Sequence, residues 1–198
     1  MNQRITNLRT KMKAQDLKAV LINNLKNVYY LTGFWGSNGT VLVTEERVVL
    51  FTDSRYTIHA HATCFPFVEI VETRNELEEA AKIVKDAAIQ ELGFEDEITV
   101  AYQTRLATAF SGVSLRALSD FVMEFRLIKD ETEVATIRKA CSISDQAFLD
   151  VLEFIKVGQT TELEAATFLD FRMRELGASG VSFDIISAAG ERSAMPHA

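Results

Sequence analysis

Apolar and polar positions along this chain fall into two alternating periods. Ile5, Leu8 and Met12 recur every three or four residues among Arg, Lys, Asn and Gln, which predicts a helix over residues 4–15. Leu17 to Ile22 is a short apolar run and reads as a buried strand. Asn23-Asn24 offers a helix cap before Leu25 to Leu31, and Gly33 is placed to end that helix. Thr40–Thr44 and Arg47–Thr52 are β-branched runs parted by Glu45-Glu46, a hairpin pattern without the favoured Asn-Gly turn. Phe67–Val71 and Ile98–Tyr102 read as further strands. Asn75-x-x-Glu78 is a capping box; the helix it opens turns Leu77, Ala81, Val84 and Ala88 to one face, with Gly93 beyond its end. A helix follows around Thr104–Phe110. Strands alternating with helices imply an α/β layer domain, and the hairpin makes its sheet mixed.

Near residue 128 the pattern changes. Asp130-x-x-Glu133 is a second capping box. Val134, Ile137, Cys141, Ser144, Phe148, Val151 and Ile155 then form one seam on a helix of about 25 residues. Cys and Ser within a short seam favour packing against a sheet over a coiled coil. Gly158 closes the helix, and Thr161-x-x-Glu164 opens another with Leu163, Ala166, Leu169, Met173 and Leu176 inward and Gly177 after it. A strand is expected from Phe183 to Ser187. The division is residues 1–128 and 129–198, with no repeat or Pro-rich linker.

Composition narrows the function classes. Of 198 residues, 47% are hydrophobic and 25% charged, enough for a sizeable core. A net charge of −7 argues against nucleic acid or an anionic membrane as the main partner. No apolar run approaches the ~18–20 residues that span a bilayer, and residues 1–7 lack a signal core. Cys64 and Cys141 lie far apart, as expected of free thiols in a reducing cytosol.

Several residues invite a chemical reading. His59-x-His61-x-x-Cys64 has metal-binding residue types, but on a helix the two His point to different faces, and a fourth ligand is missing. Asp53-Ser54-Arg55-Tyr56 is a charged and aromatic group at a strand end, read first as a cap with Arg55 solvated. Trp35, between Gly33-Phe34 and Gly36-Ser37, is either an interface anchor or a local core plug. Asp184 and Glu191 read as structural carboxylates. No phosphate-binding glycine loop and no Ser or Cys nucleophile motif is present. Pro196 stiffens the approach to His197, which follows a strand and a Gly190 turn; this is either an exposed residue or one presented for a site.

The run Gly177-Ala178-Ser179-Gly180-Val181-Ser182-Phe183-Asp184-Ile185-Ile186, continued by Gly190-Glu191-Arg192-Ser193-Ala194-Met195-Pro196-His197, resembles the opening of the catalytic domain in Xaa-Pro peptidases. These are proline dipeptidases and aminopeptidase P, with the "pita-bread" fold. Asn27 to Phe34 and Leu50 to Tyr56 resemble their creatinase-like N-terminal domain, and Phe125 to Glu131 with Ile137 to Ala140 resembles the junction between the two. The motifs occur in the family's order over nearly the whole chain.

The resemblance implies a creatinase-like α/β domain over 1–128 and the first, incomplete part of an α+β pita-bread domain over 129–198. It implies a cytoplasmic, manganese- or similar-metal-dependent hydrolase of peptide bonds to proline, working on proline-containing peptides as a homodimer or higher homo-oligomer. His197 matches a residue beside the family's two-metal centre, and Phe183 an aromatic position lining its substrate pocket. The family's five metal ligands would follow residue 198, so the 198-residue chain alone is expected to be inactive and to bind no metal. In the family, the N-terminal domain of one subunit can approach its partner's cleft, which gives Trp35, Arg55 and Tyr56 a possible substrate contact. The alternatives are a non-catalytic pita-bread-type interaction or oligomerisation protein, and a creatinase-like amidinohydrolase.

Overall fold

A computed structural model describes residues 2–198, which divide into two compact units, the first ending at Ile128 and the second running Lys129–Ala198. The first unit contains, in chain order, α1 (Gln3–Ala14), β1 (Ala19–Ile22), α2 (Leu25–Thr32), β2 (Thr40–Thr44), β3 (Val48–Thr52), α3 (Thr57–Thr63), β4 (Glu69–Glu72), α4 (Glu76–Asp86), β5 (Glu91–Glu95), α5 (Val100–Ala109), β6 (Ser114–Leu118) and α6 (Met123–Leu127).

The six strands form one sheet in the order β4-β3-β2-β1-β5-β6. β2 pairs antiparallel with β1 and β3, while β3/β4, β1/β5 and β5/β6 are parallel, so the sheet is mixed. Side chains alternate across it. Val20, Ile22, Val41, Val43, Val48 and Leu50 join Ile5, Leu8, Val28 and Leu31 on one face. Leu21, Leu42, Val49 and Phe51 join Leu77, Val84 and Leu106 on the other. Because helices cover both faces, the central strands read as unbroken apolar runs rather than alternating ones.

Several elements differ from the sequence expectation, each for a local reason. Ile98–Tyr102 is not a strand. Thr99 accepts a hydrogen bond from the Tyr102 amide as a helix N-cap, so the chain is helical from Val100. Asn75 makes no side-chain cap bond, so the first capping box is not formed. Ala88 is exposed rather than part of the buried face of α4, and it takes the left-handed conformation after that helix at φ +51°. Gly93 is not a helix terminator but lies inside β5, where a Cβ would come within 2.5 Å of Leu118 Cδ1. The edge strand β6 carried no clear apolar pattern in the sequence.

The second unit contains α7 (Glu131–Phe154), α8 (Glu162–Glu175) and a short 3-10 turn at Gly190–Ala194. Asp130 and Thr161 both form the reciprocal capping boxes that the sequence predicts. The helices meet through Ile143, Ala147, Val151 and Ala165, through stacked Phe154 and Phe168 rings 4.4 Å apart, and through Arg172 Nε on Asp150 at 2.6 Å. The expected packing of the long seam is not present: Ile137, Cys141, Ser144, Phe148 and Ile155 are exposed. Phe183–Ser187 is irregular rather than a strand, because no described residue pairs with its backbone.

Candidate functional site

A constellation of polar and aromatic groups in the first unit lies at the end of β3. Gly33 terminates α2 in the left-handed conformation, φ +80°, and its missing side chain leaves room for the Thr63 carbonyl; a Cβ would lie 2.8 Å from that oxygen. The chain then runs Phe34 to Asn38 across the end of the sheet. Thr52 Oγ1 donates to the Asn38 carbonyl at 2.7 Å and fixes this segment to β3.

Asp53 follows Thr52 and is buried. Its carboxylate accepts hydrogen bonds from Arg55 Nε (2.9 Å), Arg55 Nη2 (2.8 Å), the Arg55 amide (3.0 Å) and Asn38 Nδ2 (2.6 Å). The Arg55 guanidinium, and after it Asn38, holds this carboxyl well below the usual carboxylate range. Arg55 is therefore not merely solvated. One edge of its guanidinium grips Asp53 in a two-point bond while the side chain stays largely exposed.

Tyr56 accepts a hydrogen bond from the Ser37 amide at 3.0 Å and is hydrogen-bonded to Ser37 Oγ at 2.7 Å, which lowers its phenol pKa. Its ring meets Phe34 edge-on at 5.6 Å. Gly36 is required there, since a Cβ would lie 2.8 Å from Phe34 and 2.9 Å from Tyr56. Phe34 is fully buried and is the core plug, whereas Trp35 is 65% exposed. Trp35 stands edge-on to His59, ring centroids 4.7 Å apart. His59 Nε2 is buried without a hydrogen-bond partner among the described residues. His61 is exposed, and burial pushes the Cys64 thiol up to about 11.

A second constellation was not singled out in the sequence. Glu95, at the end of β5, is buried. Its Oε2 accepts the amides of Asn23 (2.8 Å) and Asn24 (2.6 Å), and its Oε1 accepts Asn27 Nδ2 (2.5 Å). Arg126 Nη1 donates to Asn27 Oδ1 at 2.9 Å. Asn24, Asn27, Glu95 and Arg126 line a cavity of about 40 Å³, room for about one water. A carboxylate at the start of α2 also complements that helix's dipole. The sequence hint was an acidic run, Glu95-Asp96-Glu97.

In the second unit, Phe183 and His197 are both exposed, and no hydrogen bond or ring contact joins them. The segment between them is tied back to α8: the Ala189 amide donates to Glu162 Oε1 at 2.8 Å, and Arg192 Nε lies 3.2 Å from Glu162 Oε2. Asp184 and Glu191 are exposed. Among the described residues no group of three or more His, Cys, Asp or Glu is placed to hold a metal ion.

Comparison with known proteins covers the whole chain. Residues 4–128 match the creatinase/prolidase N-terminal domain, and residues 135–198 match metallopeptidase family M24. The chain is 34% identical over 196 residues to an uncharacterized peptidase of Bacillus subtilis, covering 98% of this chain and 55% of that protein. Among solved structures, an Xaa-Pro dipeptidase from Bacillus anthracis superposes with a TM-score of 0.90 at 36% identity, covering 98% of this chain and 55% of that one. An X-Pro aminopeptidase from Thermotoga maritima does so with a TM-score of 0.87 at 34% identity, with 98% and 55% covered. The chain thus spans about half the length of the curated relatives it matches.

Proposed function

This chain belongs to the creatinase/prolidase N-terminal domain family and continues into a metallopeptidase family M24 segment, and from that premise we propose that it is part of a metal-dependent exopeptidase cleaving peptide bonds to proline. The observation that carries this reading is the order of the two family matches along one chain, supported by its likeness to Xaa-Pro peptidase structures over nearly its whole length. Proline removes an amide hydrogen and restricts its neighbour, so a dedicated pocket is useful for its bonds.

In this reading residues 129–198 are the first part of a pita-bread catalytic domain. Two divalent ions, Mn²⁺ or similar, would activate water in the complete enzyme. Among the described residues no group of three or more His, Cys, Asp or Glu is placed to supply their ligands. His197 donates a hydrogen bond to the oxygen that gains charge as the substrate carbonyl becomes tetrahedral. Phe183 packs against the substrate's proline ring. The protein works in the cytoplasm, in keeping with free Cys64 and Cys141.

The Trp35 surface fits recognition rather than acid–base chemistry, since Asp53 is already committed to Arg55 and Asn38. We infer that Trp35 and Arg55 contact a second subunit of a homodimer and face that subunit's substrate. The test uses the full-length product of the gene that encodes these residues, assayed with Mn²⁺ on Xaa-Pro dipeptides and Xaa-Pro-Yaa tripeptides. Turnover confined to proline substrates, falling about a hundredfold in His197→Ala, is the expected result. Equal turnover of proline-free peptides, or no effect of His197→Ala, overturns the reading. In sedimentation, Trp35→Ala should shift that protein from dimer toward monomer; an unchanged dimer removes Trp35 from the interface.

A further inference from the structure

The last residues of the first unit are attached in an unusual way. Phe121 and Val122 are buried in the core. The five residues of α6 that follow include no buried side chain, and exposure rises to 60% at Leu127 and 84% at Ile128. Only Phe125 packs partly against the core. What holds this segment is largely polar. Lys11, on α1, donates through Nζ to the Phe121 carbonyl at 3.1 Å and pairs with the Glu124 carboxylate. The same ammonium lies 4.6 Å from the Phe121 ring centre and 5.5 Å from that of Phe125. Tyr30 Oη donates to the Phe125 carbonyl at 3.4 Å, and Arg126 Nη1 donates to Asn27 at 2.9 Å.

Of the Lys11 ammonium's contacts, the Glu124 carboxylate and the Phe125 ring lie in the segment, while the Phe121 carbonyl and ring lie at the point where it leaves the core. Cation–π and exposed ion-pair contacts each contribute about 1 kcal/mol or less, and salt screens the exposed pair. Apolar burial, which salt does not weaken, contributes little here. The segment ends where the second unit begins, at Lys129.

We propose that residues 123–128 are a releasable strap, held on the first unit by polar contacts that include Lys11, Tyr30 and Asn27, whose detachment lengthens the link between the two units by six residues. Held, the strap leaves the units joined by the peptide after Ile128. Released, it frees the chain from Met123 onward, with Val122 as the fixed point. The proposal is independent of the peptidase reading.

Hydrogen exchange read by mass spectrometry tests it on the 198-residue chain. Lys11→Met keeps an apolar stem and removes the charge. It should speed exchange of the amides in 123–128 about tenfold while the β1, β2 and β5 amides keep their protection. Lys11→Arg should restore most of the protection. In the wild-type chain, raising salt should speed exchange in 123–128 alone, and this measurement stands even if Lys11→Met fails to fold. Unchanged exchange at 123–128 in Lys11→Met, an equal rise across the whole first unit, or no response of the segment to salt overturns the proposal.

Discussion

Glu95→Ala is expected to lower the unfolding free energy by about 3 kcal/mol, read as a fall in the urea midpoint at unchanged slope. The cause is not the lost carboxylate itself but the donors it leaves behind. The Asn23 and Asn24 amides and Asn27 Nδ2 all point at Glu95. Each unpaired buried donor costs about 1–3 kcal/mol, and the two amides are half-buried, so water recovers part of that. Glutamine does not repair the site. If its carbonyl oxygen accepts the two backbone amides, its NH₂ faces the Asn27 NH₂. Flipping Asn27 then turns that NH₂ toward Arg126 Nη1, which now donates to Asn27 Oδ1.

The effect depends on pH in a direction the burial fixes. Burial raises the Glu95 pKa above its ordinary 4.5, with the bonds from Asn24, Asn27 and Asn23 opposing the shift. Between 4.5 and the folded-state value, the folded chain holds a proton that the unfolded chain has released. Stability from this position is therefore fully present below pH 4.5 and declines as pH rises through the folded pKa. The gap between wild type and Glu95→Ala should narrow over that range. A gap that widens as pH rises would show the hydrogen bonds outweighing the burial. A midpoint unchanged by Glu95→Ala would show that water satisfies all three donors.

Glu95 also marks where sequence reading stops. Its partners lie 68 to 72 positions away, and no local pattern announces a pairing made only when β5 lies beside β1. Local chemistry was legible where one segment decides its own shape. Asn24 caps α2, Gly33 ends it, and Asp130 and Thr161 close their boxes, because donor and acceptor lie within four residues of each other. The hairpin β2–β3 was legible for the same reason. Where two local devices competed, the pattern misled. Ile98–Tyr102 is β-branched enough for a strand, yet the Thr99 cap settles it as helix. Gly93 looked like punctuation after α4, but the tertiary fold uses its missing side chain to admit Leu118. At the site, sequence offered Asp53-Ser54-Arg55-Tyr56 as one group and Trp35 separately. It did not show that Asp53 would be buried under Arg55, nor that Phe34 rather than Trp35 would fill the core.

The seam on α7 separates what a pattern specifies from what it leaves open, and it leads to the second large effect. Its period identified a face that favours burial, yet Ile137, Phe148 and Ile155 on that face are exposed, as is the adjoining Leu152. Val151, which also belongs to the seam, turns instead toward α8 and is buried. In all, twelve large apolar side chains of the second unit are exposed, from Ile137 to Met195, against four buried apolar ones. Apolar burial is worth about 25 cal/mol per Å², so covering several hundred Å² of this face gains several kcal/mol. Contiguous exposed patches of that size are rare on monomers. The 198-residue chain should therefore self-associate at micromolar concentration, with light scattering giving a mass above the 22.2 kDa of one chain. Phe148→Glu with Leu152→Glu should return it to a monomer while the sheet of the first unit melts as before. Val151→Asp should act differently: with its charge buried between α7 and α8, it should unfold the helix pair and increase association. A wild-type chain that stays a monodisperse monomer, with the amides of 131–175 protected from exchange, would show that the exposed stripe is tolerated in water. If Phe148→Glu with Leu152→Glu leaves a large assembly intact, the contact lies elsewhere on the second unit.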